Sequence, residues 1–298
     1  MWFRNLQIYR LPENWQMPAG TLEELLARHP LMPCSGMAMQ SRGWVAPRDD
    51  KQLVCSQGKH LLIALGTEQK MLPASVINQS AKEMAAQLEA QQGFKPGRKQ
   101  MRDIKERVTT ELLPRAFARR RVVRAWLDPV NRWLVVDASS PSRAEDLITA
   151  LRDALGELAV LPLVTKLSPA VAMTAWLNAA DVPGSFVFDQ DCELCGSDES
   201  KSTVRYVRHG LDGKDIRQHI ASGKAATRLG LVWNDRLACV LTEQHQVKRV
   251  KFLEMEKNRE EGGTQNSDEQ FDADFTLMTG ELHALMTDLV TALGGEDA

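Results

Sequence analysis

Short segments of alternating or β-branched apolar residues recur along the chain and predict β-strands. Gly, Asp or Pro bounds most of these segments, which is typical of strands that end in turns. Strands are predicted at Trp2–Leu11, His60–Leu65, Val122–Leu127, Trp133–Ala138, Thr203–Arg208, Ala226–Trp233, Leu237–Thr242 and Val247–Leu253.

Other segments space their apolar residues at helical intervals and predict helices. They are Leu22–His29, Val76–Gln92, Arg98–Leu113, Arg143–Leu155, Pro169–Asn178, Lys214–Ser222 and Gly280–Leu293. Thr21-x-x-Glu24 and Ser142-x-x-Glu145 match the capping box that satisfies the first N–H groups of a helix. Gly294-Gly295 predicts the end of the last helix, because glycine suits a C-cap.

The order of these elements indicates the fold class. Strands and helices are mixed without a strict strand–helix–strand rhythm, which favours α+β: mixed, mainly antiparallel sheets with packed helices. The glycines and proline of Gln91–Arg98 separate two polar helices. We therefore predict a projecting helical hairpin.

The composition is that of a globular protein, with 26% charged residues and a net charge of −2. No apolar run approaches the roughly eighteen residues of a membrane span, and the N-terminus lacks the pattern of a signal peptide. The 5 cysteines are odd in number and scattered, as in proteins of a reducing compartment. We expect a cytoplasmic protein with no membrane partner.

Cys192 and Cys195 have the C-x-x-C spacing of many zinc and redox sites. A zinc site needs two further ligands at short spacing, and His209 and His219 are too loosely spaced. We favour an incidental pair in a loop over a zinc or redox site, and we expect no metal and no cofactor.

Charge is distributed unevenly along the chain. Residues 95–132 include 12 basic and 4 acidic residues, and residues 201–251 include 11 basic and 4 acidic ones. Residues 253–298 hold 2 basic and 12 acidic residues, and Asp189–Ser200 reads as a further acidic loop. Two basic regions in a nearly neutral chain indicate an electrostatic surface, for which nucleic acid is the commonest partner.

The first basic group combines arginines with one phenylalanine, Phe117. On a strand after Pro114, Arg119 and Arg121 would share a face, and the guanidinium fork suits phosphate oxygens. The alternative is a solvated charge run beside a core aromatic residue. The candidate DNA-binding residues here are Arg115, Arg119, Arg120, Arg121 and Arg124.

The second basic group lies on several predicted strands. A broad positive surface there would bind the sugar-phosphate backbone without reading sequence. The alternative is separate patches that balance the acidic third of the chain. The candidates are Arg205, Arg208, His209, Lys224, Arg228, Lys248, Arg249 and Lys251.

An alternative function is a nuclease that holds Mg²⁺ with Asp272, Asp274 and Glu281. We favour a structural role, with Thr279 capping the final helix and Glu281 in its first turn. Phosphate-loop, dinucleotide-binding, zinc-protease and serine-hydrolase motifs do not occur in the sequence. We therefore expect a binding protein that is not an enzyme.

Several stretches together resemble the bacterial recombination-associated RdgC family. They follow the same order as in that family and extend from residue 2 to residue 295. They are Trp2-Phe-Arg-Asn-Leu, Tyr9-Arg-Leu, Gly43-Trp-Val, Lys70-Met-Leu-Pro-Ala-Ser-Val-Ile, Leu112-Leu-Pro-Arg-Ala-Phe, Phe271-Asp-Ala-Asp-Phe-Thr-Leu-Met-Thr-Gly-Glu-Leu and Gly294-Gly295.

The resemblance implies a nucleoid-associated protein that binds double-stranded DNA, and single-stranded DNA more weakly, with little sequence preference. It implies a ring-shaped homodimer with a positive central hole that limits access of the RecA recombinase to DNA. It also implies a central region of residues 1–74 and 115–165, a helical tip of residues 75–114 and a base of residues 166–298.

The resemblance further assigns roles to individual residues. Phe117 matches the family phenylalanine at one subunit contact. Arg208 and His209 stand where family members carry a Lys-Gln pair, near the other subunit contact and the DNA path. The positive charge is kept at Arg208, whereas His209 replaces an amide.

Overall fold

A computed structural model gives the fold and describes residues 2–199, 201–211, 213–253 and 267–297. The fold is α+β, as predicted. Within this described part, twelve strands form one sheet, and all pairings between them are antiparallel. The strands are β1 (Leu6–Arg10), β2 (Gln40–Val45), β3 (Val54–Gln57), β4 (His60–Met71), β5 (Phe117–Asp128), β6 (Trp133–Asp137), β7 (Leu161–Pro162), β8 (Phe186–Gly196), β9 (Thr203–Tyr206), β10 (Lys224–Trp233), β11 (Leu237–Thr242) and β12 (Val247–Phe252).

Seven α-helices occur among the described residues. They are α1 (Ala19–Leu26), α2 (Ala74–Gln92), α3 (Arg98–Leu112), α4 (Pro141–Leu155), α5 (Pro169–Ala179), α6 (Lys214–Ala221) and α7 (Ser267–Ala292). The side chains of α7 are described from Glu269 onward. None of the helices in these ranges is both long and apolar enough to cross a membrane.

Strand β1 joins the two halves of the sheet. The strand order is β2-β4-β5-β6-β1-β12-β11-β10-β8-β9, with β3 beside β4 and β7 beside β1. β1 pairs with β6 along its whole length but meets β12 only where Leu6 faces Val247. This contact is extended by a hydrogen bond from the Val250 N–H to the Arg4 carbonyl oxygen (2.9 Å).

Alternation along β5 places apolar side chains in cores on both faces of the sheet. Ala125 and Leu127 pack into a cluster with α1 and α4, whereas Trp126 packs into a cluster with α7. The burial of these residues fixes the register of β5 against β4 and β6, since a slip by one residue would exchange the two faces.

Helices α2 and α3 form the predicted hairpin. They pack around their own apolar cluster of Ala81, Ala85, Ile104 and Val108, which is separate from the clusters of the sheet. Gly93 ends α2 with a φ of 81°. The hairpin connects β4 to β5 and returns the chain antiparallel along β4.

Several predicted boundaries were wrong. Both capping boxes fail, because α1 begins at Ala19 and α4 at Pro141, each before its proposed cap. The last helix begins at Ser267 and not at Gly280. Thr279 therefore lies inside α7, where its hydroxyl donates to the Thr276 carbonyl oxygen. Tertiary packing of a long apolar face outweighs the local cap signals here.

The predicted acidic loop Asp189–Ser200 was also wrong over most of its length. Residues up to Gly196 belong to β8, which pairs with β10 and β9. Polar residues interrupt the apolar alternation of β8, so the usual sequence signal of a strand is weak there. Predicted strands Trp2–Leu11 and Thr203–Arg208 are shorter in the structure, as β1 and β9.

The close packing of β2 against the neighbouring backbone requires a residue without a side chain at Gly43. A Cβ atom there would lie 2.4 Å from the backbone of Pro30 and Leu31. We expect Gly43→Ala to lower the free energy of unfolding by about 1–3 kcal/mol, the usual cost of overpacking. Urea unfolding measures this change.

Gly20→Ala is the matched control, because nothing lies within 4 Å of its added Cβ in α1. It should leave stability unchanged or raise it by about 0.5–1 kcal/mol. Equal unfolding midpoints for the two variants would contradict the close packing at Gly43.

Candidate nucleic-acid interface

The ladder between β4 and β5 positions the first basic group. Residues Leu61–Met71 face Phe117–Leu127 in reverse order, without a bulge. The half of the ladder near Leu127 is buried, whereas β5 is exposed from Phe117 to Val122. The same strand thus extends from the core to a charged surface.

Arginines on the exposed half of β5 have no anionic partner in the part of the chain that the structure describes. Within the described ranges, Arg119, Arg120 and Arg121 form no ion pair and no side-chain hydrogen bond, and the same holds for Arg115 in the preceding 3-10 turn. Glu68 lies directly opposite Arg120, but one of its oxygens accepts the Cys34 N–H (2.9 Å). These guanidinium groups keep their full capacity for an external anion.

Arg124 differs from the other members of this group. It is half-buried, and its Nε donates to the Pro47 carbonyl oxygen (3.1 Å). Arg119 and Arg121 share one face of β5 by alternation, as predicted, and Arg120 and Arg124 share the other. The structure therefore presents arginines on both faces of an exposed strand.

Phe117 begins β5 with 87% of its surface exposed. Across the ladder it faces Met71, which is 52% exposed. An exposed aromatic residue beside an exposed methionine indicates a contact surface. The alternative of a core aromatic residue beside a charge run is wrong for Phe117.

Among the described residues, three arginines of the second basic group form ion pairs with carboxylates of β8. Glu193 lies opposite both Arg205 and Arg228 in the sheet and forms ion pairs with both. Partial burial of Glu193 acts to raise its pKa, but hydrogen bonds from Arg205 and Thr227 and the charge of Arg228 hold the pKa below its usual value. The carboxylate therefore stays ionised between its two arginines.

Asp191 organises the neighbouring arginines. It accepts the backbone N–H of Arg208 (3.2 Å) and a guanidinium N–H of Arg249 (3.0 Å). Both arginines adopt left-handed backbone conformations, with φ of 53° and 54°. This strain is supported by the carboxylate between them.

The other candidates of this group have polar or aromatic neighbours. Lys224 donates to the Ser202 carbonyl oxygen (3.1 Å), and Lys251 is exposed. Burial, and then the nearby Arg228, lower the pKa of Lys248. The His209 ring lies 5.3 Å from that of Tyr206, and the backbone N–H of His209 donates to the Gln190 carbonyl oxygen (3.0 Å).

The three proposed Mg²⁺ ligands do not converge. They lie on α7, where the nine positions from Asp272 to Glu281 span about 13 Å. Asp272 pairs with Arg48 (3.3 Å) and Glu281 with Arg236 (2.9 Å), while Asp274 accepts from Gln270 (2.8 Å). A single ion cannot bridge these carboxylates, so the proposed nuclease site was wrong.

Cys192 and Cys195 lie on β8 and not in the predicted loop. Positions three apart on a strand point to opposite faces, and Cys192 is buried while Cys195 is half-buried. Burial raises the pKa of Cys192 to about 12. Among the described residues, no group of three or more His, Cys, Asp or Glu could hold a metal ion.

Sequence reasoning missed two arginines beside β5 and two carboxylates beside the second group. Arg4 and Arg143 line a cleft with Arg119 and Arg121, although both lie outside β5 and its flanking turns in the sequence. Asp191 and Glu193 were assigned to an acidic loop. The pairing of strands brings these carboxylates to the arginines of the second basic group. No local sequence signal indicates this proximity.

Comparison with known proteins gives one consistent family. A family model described as "Putative exonuclease, RdgC" matches residues 1–296. The chain is 52% identical over 296 residues to the "Recombination-associated protein RdgC" of Janthinobacterium sp. (strain Marseille), covering 99% of each chain. It is 52% identical over 298 residues to the protein of the same name from Herminiimonas arsenicoxydans, covering 100% of this chain and 99% of that one. It is 50% identical over 299 residues to that of Dechloromonas aromatica (strain RCB), covering 99% and 98%.

The pairing at Glu193 should weaken the attraction of the second basic group for polyanions. We expect Glu193→Gln to release Arg205 and Arg228 and to raise duplex-DNA affinity at low salt by about three- to tenfold, with a steeper salt dependence. Fluorescence anisotropy with a labelled duplex measures both quantities.

Glu13→Gln is the control, because Glu13 pairs with Arg132 (3.3 Å) on an exposed loop. It removes the same charge without freeing an arginine of the second group. If both variants change affinity equally, only net charge matters, and the local pairing at Glu193 has no effect.

Proposed function

The chain belongs to the RdgC family of recombination-associated proteins, and we propose that it binds double-stranded DNA without sequence preference. The observation that carries this proposal is the exposed run Arg119–Arg121, whose guanidinium groups have no partner among the described residues. Lysines and arginines that neutralise phosphates release condensed counterions, which favours binding at any sequence.

Strand geometry supports contact with phosphates over contact with base edges. Arginines on the two faces of β5 point in different directions. Such an arrangement suits the charged sugar-phosphate backbone of a DNA that passes along this β-strand. Backbone contacts fix position but carry no sequence information. A duplex has twice the axial charge density of one strand, so single-stranded DNA should bind more weakly.

The proposed assembly is a ring-shaped homodimer that encircles the duplex. Phe117 supports one subunit contact, since an aromatic side chain with 87% exposure gains apolar burial in a dimer. Arg208 and His209 are proposed for the other contact, as the family resemblance implies. A closed ring would let DNA slide through while preventing its release.

The proposed role in recombination is competition with RecA for DNA. A protein bound along phosphates covers sites that RecA needs, and no direct contact between the two proteins is required. The protein would then reside in the cytoplasm, associated with the nucleoid. We propose binding without cleavage, although the matching family model carries the word exonuclease in its description.

A salt titration tests the DNA-binding proposal. The logarithm of the affinity should fall steeply with the logarithm of salt concentration, with equal slopes on two unrelated duplexes. Arg120→Gln should reduce the slope by about one unit per bound protomer. Lys59→Gln, at the exposed turn before β4, is the matched control.

Anisotropy gives the affinities, and sedimentation gives the oligomeric state in the same buffers. A flat slope, or a strong preference for one duplex, would contradict backbone binding. An end-labelled duplex incubated with the protein and Mg²⁺ should remain intact, and its progressive shortening would show exonuclease activity instead.

Phe117→Ala tests ring closure. We expect the dimer dissociation constant to rise at least about tenfold, because burying one such side chain contributes about 1.5–3 kcal/mol. The free energy of unfolding of the monomer should change by less than about 0.5 kcal/mol, since Phe117 is exposed. Sedimentation equilibrium and urea unfolding measure the two quantities.

Val130→Ala provides the control, because Val130 is also exposed (57%) but lies beyond the opposite end of β5. It should leave the dimer unchanged. A dimer constant that is the same in wild type and in Phe117→Ala would remove Phe117 from the subunit contact.

A further inference from the structure

A notch interrupts the sheet where β6 ends. β5 pairs with β4 from Phe117 to Leu127, but with β6 only from Ala125 to Asp128. β6 stops at Asp137 and the chain turns into α4. In the described part of the chain, no strand therefore lies beside β5 on this side before Ala125.

Four arginines from three separate parts of the chain line this notch. Arg119 and Arg121 come from β5, Arg143 from the first turn of α4, and Arg4 from the segment before β1. All four are exposed. Among the described residues none of them forms an ion pair, and Arg143 donates only to the Ser139 hydroxyl (3.3 Å).

Asp137 is the one carboxylate among the described residues that lines the notch. Its Oδ1 accepts the backbone N–H groups of Arg4 (3.0 Å) and Asn5 (2.9 Å), which holds the segment before β1 against the notch. Burial raises the pKa of Asp137, although these hydrogen bonds act in the opposite direction. Asp137 thus binds backbone N–H groups and forms no ion pair with the four arginines within the described residues, although the charges of Arg124 and Arg4 also act to lower its pKa.

We propose that this notch binds a phosphodiester group of the DNA backbone, held by Arg4, Arg119, Arg121 and Arg143. The inference rests on the proposed function and deepens it by naming a subsite. Guanidinium forks bind two phosphate oxygens at once, and four of them around one carboxylate leave a clear excess of positive charge.

The shape of the notch favours a polymer backbone over a small enclosed ligand. The notch is a gap beside the unpaired edge of β5, and its arginines are exposed. A continuous DNA strand can therefore pass across it. The N-terminus of α4 adds a favourable dipole for an anion, and the side chain of its N-cap Ser140 makes no capping hydrogen bond.

The double variant Arg4→Gln/Arg143→Gln tests the notch, with Lys51→Gln/Lys59→Gln as the control. The control lysines are exposed and flank β3, which pairs with β4 on the edge opposite to β5. Both variants remove two positive charges. We expect the notch variant to bind duplex about tenfold or more weakly and to lose one to two units of salt slope, and the control to change less.

Inorganic phosphate serves as the second probe. At constant ionic strength, phosphate in place of chloride should raise the melting temperature of wild type and control, but not that of the notch variant. Circular dichroism before each titration verifies that the variants are folded, which is expected because the changed arginines are exposed.

The outcomes separate the subsite from the general proposal. Equal DNA affinity and slope in notch and control variants, with steep binding by wild type, would overturn the notch and leave the DNA-binding function intact. If wild type is stabilised by phosphate through the notch but fails to bind duplex, both the DNA assignment and the proposed function are overturned. The notch would then be a site for a free phosphate.

Discussion

The antiparallel ladder between β4 and β5 is the interaction on which the candidate interface depends. Its inner half is held by apolar burial on both faces of the sheet, through Ala125 and Leu127 on one side and Trp126 on the other. The outer half continues the same backbone pairing beyond the core. Arg119, Arg120 and Arg121 are therefore ordered along their backbone, while their side chains form no ion pair with any residue that the structure describes. Such preorganisation reduces the entropy lost when a partner binds.

The two basic regions have similar net charge in the sequence, but they differ in how many of their arginines pair with carboxylates across the sheet. The β5 arginines face Gln69, Glu68 and Thr67, and the only acidic residue among these is engaged by Cys34. The second group faces β8, where Glu193 and Asp191 pair with Arg205, Arg228 and Arg249. A polyanion must displace these carboxylates before it gains the same contacts. Exposed ion pairs contribute little to stability, so their main consequence is electrostatic.

The sequence predicted elements with strong apolar periodicity and missed those defined by distant contacts. The α+β class, the β5 strand and the α2–α3 hairpin followed from pattern and breaker residues. β8 was missed because Asp189, Asp191 and Glu193 interrupt its apolar pattern, although the partners of Glu193 lie on the adjacent strands β9 and β10. The start of α7 was missed because a glycine and a threonine at its middle resemble a cap. Arg4 and Arg143 could not be grouped with β5, because only the end of β6 and the turn into α4 bring them together.

The position of β1 in the sheet constrains the order in which the sheet can form during translation. This strand leaves the ribosome before its partners β6 and β12, which are synthesised at residues 133–137 and 247–252. Unpaired strand edges invite association with other chains. One edge of β1 can be covered once residues 133–137 have emerged, whereas the contact with β12 waits for residues 247–252. The first half of the sheet can thus form during synthesis, and the second half is joined to it by one of the last strands to appear.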